Sequence, residues 1–188
     1  MMRMRRFLVL VTALSLLFVP QPSQSARGPG SIDDLKKIEI ICFVPTWLPK
    51  GFKAQTIAIT FDEPGPDEGS GRFPLYSIRY SDGRERTFSI DCAREGIGDR
   101  NLLETENSED AEIESPLGRM FIIYTPKGKT GRKNEIRSNW TSDANMIAEK
   151  AKNELAHPVL GRYHGFTATG ISVEDFRRII QSLRPVRP

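Results

Sequence analysis

Apolar and polar positions alternate along much of this chain in short runs with a period of two, the pattern of half-buried β-strands. From Lys53 to Phe61, Ala54, Thr56, Ala58 and Thr60 alternate with Gln55, Ile57, Ile59 and Phe61. Leu75–Tyr80 puts Tyr76, Ile78 and Tyr80 on one face and Ser77 and Arg79 on the other. Arg86–Ala93 does the same with Phe88, Ile90 and Cys92. These two runs meet around Ser81-Asp82-Gly83-Arg84, and Asp-Gly between alternating runs is a hairpin signal. A second hairpin runs from Ala111–Ser115 through Pro116-Leu117-Gly118 into Arg119–Thr125. Ile38–Val44 reads as an earlier strand, ended by Pro45-Thr46-Trp47-Leu48-Pro49-Lys50-Gly51, whose prolines fix φ and withhold donors. Asp62–Gly71 reads as an acidic Gly/Pro loop. Further strands are expected from Asn134 or Glu135 to Trp140 and over Arg162–Thr169.

Helical spacing appears in three places. Ser31–Lys37 forms one turn capped by Ser31, with Asp33 and Asp34 in that turn. Asp143–Leu155 carries Ala144, Ile147, Ala148, Ala151 and Leu155 on one stripe and stops at Pro158. The last helix starts at Ser172, with Val173, Phe176, Ile179, Ile180 and Leu183 on one face and Glu174, Arg177, Arg178 and Gln181 on the other, and Pro185 stops it. The expected fold is therefore α+β: an antiparallel, twisted sheet of about seven or eight strands with the C-terminal helix packed on its apolar face.

The N-terminus has the layout of a cleavable secretory signal. Arg3, Arg5 and Arg6 precede the apolar run Phe7–Val19, and Ser23-Gln24-Ser25 supplies small residues for cleavage after Ser25, with Ala26 the next choice. The run falls short of the about 20 residues that span a bilayer. Arg5-Arg6-Phe7-Leu8 only approximates a twin-arginine signal, and ordinary export fits the apolar run better. The expected division is signal 1–25, mobile leader 26–37, a single domain 38–184 and tail 185–188. The full chain has a net charge of +3, which the three signal arginines account for, so the mature protein is near neutral. That balance gives no reason to expect nucleic acid or a membrane surface as partner, and no membrane span is expected after cleavage.

Cys42 and Cys92 both lie in strand-like runs of the mature part. An even count in an oxidising compartment points to a structural Cys42–Cys92 disulfide. It would close a loop of about 50 residues and stabilise the fold by roughly 4 kcal/mol. The alternative is two buried thiols packed as small hydrophobes.

The segment Phe43-Val44-Pro45-Thr46-Trp47-Leu48-Pro49-Lys50-Gly51-Phe52 resembles the opening of a family of exported bacterial domains found in lipoproteins and on the outer side of membrane-anchored, anti-sigma-like regulators. Tyr80-Ser81-Asp82-Gly83, the Trp140 strand, and Phe166-Thr167-Ala168-Thr169-Gly170-Ile171-Ser172 leading into Ile180-Gln181-Ser182-Leu183 extend the resemblance from Ile38 to Leu183. The helical stretch between Trp140 and Tyr163 departs from the family pattern. The resemblance implies export and a sensor-like or binding role, and it brings no catalytic residues.

Candidate chemistry is sparse. Gly128-Lys129-Thr130 lacks the glycine a phosphate loop needs, since Ile123 stands there. His157 and His164 have no metal-ligand spacing between them. Cys92 beside Asp91 with a distant histidine could form a nucleophile pair, against which stands its expected disulfide. Glu104, Glu106, Glu109, Asp110, Glu112 and Glu114 form an acidic run that suits a hard cation in composition but not in spacing. Lys127, Lys129, Arg132, Lys133 and Arg137 form a basic block, and Asn139-Trp140-Thr141 is a formal glycosylation acceptor around a tryptophan expected to be buried. With no catalytic residues, metal or cofactor expected, the chain reads as a secreted or periplasmic binding module for a protein or envelope component. The alternatives are an envelope hydrolase with a non-obvious site and a carrier of an apolar ligand held between sheet and helix.

Overall fold

A computed structural model describes residues 30–64, 72–94, 108–126, 134–141, 161 and 163–186. The signal 1–25, the helix expected over Asp143–Leu155, His157, Gly128-Lys129-Thr130, Glu104 and Glu106 lie outside the described residues, as do the side chains of Asn139 and Trp140.

Within these bounds the fold is α+β, as the alternation requires. Seven strands form one antiparallel sheet: β2 (Lys53–Pro64), β3 (Arg72–Ser81), β4 (Thr87–Ala93), β5 (Glu109–Ser115), β6 (Gly118–Tyr124), β7 (Glu135–Thr141) and β8 (Tyr163–Thr169). Their order is β2-β3-β4-β8-β7-β6-β5, two meanders laid side by side with β8 returning against β4. A small second sheet pairs β1 (Phe43–Pro45) with β9 (Leu183–Pro185). Two helices, α1 (Ile32–Leu35) and α2 (Val173–Gln181), complete the elements.

The alternation sorts the main sheet into a dry and a wet face. Ile78, Ile90, Phe166, Ser138, Ile122 and Ala111 are successive cross-strand partners on the dry side. Helix α2 lies on that side. Ser172 caps it, accepting from the Asp175 N–H at 3.0 Å. Phe176, Ile179 and Ile180 are fully buried, and the Phe176 ring meets Phe88 edge-on at 5.9 Å. Phe88 also stacks on Phe166 at 6.4 Å.

The β3–β4 turn is built around Asp82. Its carboxylate accepts from the N–H groups of Arg84 (2.9 Å) and Arg86 (3.2 Å) and from Arg86 Nε (2.7 Å). The Arg86 guanidinium holds the Asp82 carboxyl down to about 2. Gly83, at φ 77°, supplies the left-handed position the turn needs. The same guanidinium bonds the Lys50 carbonyl at 3.1 Å and covers the Phe52 ring, which ties the proline-rich segment to this hairpin.

Two expectations are corrected. The Asp62–Gly71 loop starts later than expected, because β2 continues through Pro64. The run Ile38–Val44 forms a ladder only from Phe43 to Pro45, with a single bridge at Ile40: its alternation reports burial of Ile38, Ile40 and Cys42, while Pro45 and Pro185 limit the ladder with β9. The turn expected after Ser31 is α1, closed by a reciprocal capping box between Ser31 and Asp34, and Leu35 is only 1% exposed. β9 extends through Pro185, and the Val186 N–H reaches the Cys42 carbonyl at 2.8 Å.

Candidate functional site

Two places gather residues that the sequence singled out. The first is interior. In the sheet register Tyr76, Cys92 and His164 are successive cross-strand partners, so their side chains share the dry face. The Cys92 Sγ lies 3.4 Å from His164 Nε2, and the Phe43 ring meets the imidazole edge-on at 5.5 Å. The Tyr76 hydroxyl accepts the Phe43 N–H at 2.9 Å and is hydrogen-bonded to Cys92. Cys42 Sγ lies 3.5 Å from the Ile40 carbonyl and 3.6 Å from that of Leu35.

The disulfide expected between Cys42 and Cys92 is not formed, and the two residues are separate buried thiols. Each sulfur is engaged locally, Cys42 with backbone carbonyls and Cys92 with His164 and Tyr76. Gly161 closes over Cys92, where an added Cβ would stand 2.6 Å from the sulfur.

The chemistry of this cluster is that of neutral groups. Burial pushes the Cys42 thiol up to about 12 and the His164 imidazole down to about 4. Burial first, and then the neighbouring thiols, carry Tyr76 well above the ordinary phenol range. A cysteine nucleophile needs a thiolate, a cationic neighbour and access to substrate. Cys92 and His164 are fully enclosed, so the pair serves packing and hydrogen bonding. Among the described residues no three His, Cys, Asp or Glu side chains converge as a metal site.

The second place is the wet face of the sheet. One row across it reads Thr56, Arg79, Ser89, Thr167, Arg137, Ile123 and Asp110, and the next reads Ala58, Ser77, Asp91, Gly165, Asn139, Phe121 and Glu112. Arg79, Thr167 and Arg137 are exposed, while Ser77, Ser89 and Asp91 are half-buried. Tyr163 folds along this face, so a Cβ on Gly165 would collide with its hydroxyl. The face is small and polar at its centre and breaks that rule at β6. Phe121 there is 56% exposed, with half-buried Ile123 beside it. Carboxylates of β5 flank this apolar pair on one side and Arg137 on the other. The acidic run thus resolves, where described, into one strand, and Arg137 of the basic block faces Ile123 and Thr167.

The Pro45–Gly51 segment that carries the family resemblance has a structural job. Trp47 lies under the Arg178 guanidinium at 4.0 Å, and the Thr46 hydroxyl donates to the Ser182 carbonyl at 2.9 Å, so the segment clasps the end of α2.

The class defined by these observations is an α+β domain whose antiparallel sheet is covered by a helix on one face. No protein-family model matches the chain, and no curated protein matches it. Among solved structures it is similar to the crystal structure of MucB in complex with MucA(peri), at 17% identity and a TM-score of 0.32. That match covers 77% of this chain and 36% of the other, so the chain spans little more than a third of the length of that protein.

Proposed function

We propose that the chain is an exported, non-catalytic interaction module that receives a protein partner on the wet face of its sheet. Phe121 carries this reading. A strand with one buried face places its outward side chains in water, and its neighbours there are Ser, Thr, Arg and Asp. An aromatic ring more than half exposed at that position, beside Ile123 and ringed by charge, has the make-up of an interface core with a polar rim. Export is supported by the basic, apolar and small-residue succession over Arg3–Ser25. The resemblance of the Phe43–Phe52 segment to exported binding domains points the same way.

The two alternatives lack such support. A carrier would have to seat its ligand where Phe176, Ile179 and Ile180 already fill the dry face. A hydrolase built on Cys92 and His164 would need both to reach solvent.

The test compares the mature protein with a Phe121→Glu variant as bait for proteins of its native envelope, with chemical crosslinking. Loss of a specific capture at unchanged thermal melting supports the assignment, and equal capture by both proteins overturns it. The N-terminus of the exported protein is expected at Ala26 or Arg27, and an intact Met1 would refute export by cleavage.

A further inference from the structure

We propose that the outer edge of β5 is a strand-addition site for an extended partner segment that alternates cationic and apolar side chains. The proposal rests on the partner-binding role of the Phe121 face and names the part of the partner that docks beside it. Among the described residues β5 is the last strand on its side of the sheet. Its hairpin with β6 closes on the facing pair Ser115 and Gly118 across Pro116-Leu117. In a two-residue hairpin that pair exchanges hydrogen bonds, and bonded and non-bonded pairs alternate from there. Ile113–Met120, Ala111–Ile122 and Glu109–Tyr124 are therefore bonded pairs, and the N–H and C=O groups of Asp110, Glu112 and Glu114 point outward from the sheet.

The same three residues set the chemistry of the occupant. Their side chains stand exposed on the wet face, in the rows that hold Ile123, Phe121 and Arg119. Arg119 lies 3.6 Å from both Glu112 and Glu114, and among the described residues it is the cation set against these three carboxylates. A strand laid about 4.8 Å outside β5 would bring its alternate side chains directly opposite these carboxylates, where Lys or Arg is matched and Asp or Glu is repelled. Its intervening side chains would fall on the dry side, beside half-buried Ala111 at the lip of the core, where apolar groups fit. A second copy of β5 would set carboxylate against carboxylate and is excluded on the same ground.

The opposite edge is treated differently. β2 has two register shifts, ends in Pro64, and already receives the Gly30 N–H on the Ile57 carbonyl at 2.7 Å. These are the devices that blunt an edge against pairing. β5 pairs with β6 without a register shift and contains no proline.

The experiment uses the mature chain and an eight-residue peptide alternating Lys and Val, with two controls: Glu in place of Lys, and N-methylation of the amides on the pairing edge. Binding is read by fluorescence anisotropy, and amide hydrogen exchange is read residue by residue. The Lys/Val peptide is expected to bind and to slow exchange at Asp110, Glu112 and Glu114. Both controls should bind about tenfold more weakly or worse. Glu112→Pro removes an outward N–H that β6 does not use, so it should keep the melting temperature while weakening the peptide. Glu112→Lys, which keeps the backbone, should weaken it as well. Equal binding of the N-methylated peptide, or slowed exchange elsewhere but not on β5, overturns the proposal. If Glu112→Pro and Glu112→Lys still capture the envelope partner while Phe121→Glu does not, the edge proposal fails and the Phe121 interface stands.

Discussion

His164 shows how far burial can separate a residue from the role its type suggests. Its folded-state value of about 4 lies below the 6.5 of an unfolded histidine, because the charged form has no water around it. Between those two pH values the unfolded chain takes up a proton that the folded chain refuses, so stability falls as pH falls through this window. The expected loss from pH 7 to pH 4 is roughly 3 kcal/mol. Urea midpoints measured across that range should drop for the native protein and stay flatter for His164→Gln. Asp82, whose carboxyl is held low by Arg86, adds its own loss only at more acid pH, below its ordinary 3.8. The thiols give a second expectation. With Cys42 pushed up to about 12 and both sulfurs buried, alkylation at neutral pH should require denaturant, and reduction should leave the mass of the protein unchanged. A gain of about 2 Da on reduction would restore the disulfide. The cysteines were misjudged in the sequence for a physical reason. Alternation around each shows that it is buried, but not that the hydroxyl of Tyr76 and the ring of His164 engage the Cys92 sulfur.

Among the elements, α2 is the one whose stripe was most readable and whose docking is most complete. Phe176 sits against Phe88 with no exposure, so Phe176→Ala should cost about 3–5 kcal/mol, measured as a lowered denaturant midpoint. An unchanged midpoint would mean that the stripe does not support the sheet. Strands β3 and β4 were readable because each keeps a period of two, with Asp82-Gly83 fixing the turn between them. β6 was readable as a strand but not in its facing. Met120, Phe121, Ile122, Ile123 and Tyr124 are five apolar residues in a row, and such a run assigns no side. The structure turns Ile122 inward and Phe121 outward. An unbroken apolar run in an antiparallel strand, next to an acidic strand, was the available sign of the face proposed for partner binding. β9 carried no sign, since three residues ending in proline match no strand pattern and the ladder exists only because β1 comes to meet it.

In the whole molecule, the strand order explains why the candidate surface lies where it does. Two meanders joined through β4 and β8 bury the middle of the sheet and leave β2 and β5 at its margins, so β6 stands one strand in from an edge. Local alternation cannot say which meander lies beside which, and the neighbouring of Phe121 with Glu112 follows from the β5–β6 hairpin alone. The β1–β9 clasp has a consequence for how the protein is made. Phe176, Ile179, Ile180 and Leu183 are all fully buried, and they follow every strand of the main sheet along the chain. Until they arrive, the dry face of the sheet has no cover and β1 has no partner. The contacts that finish the core join residues at opposite ends of the domain, as in Phe43 with Pro185, and such pairings carry the largest loop-closure cost. A chain still being synthesised therefore cannot close its core. It stays open, and folding completes only once α2 and β9 have docked on the sheet.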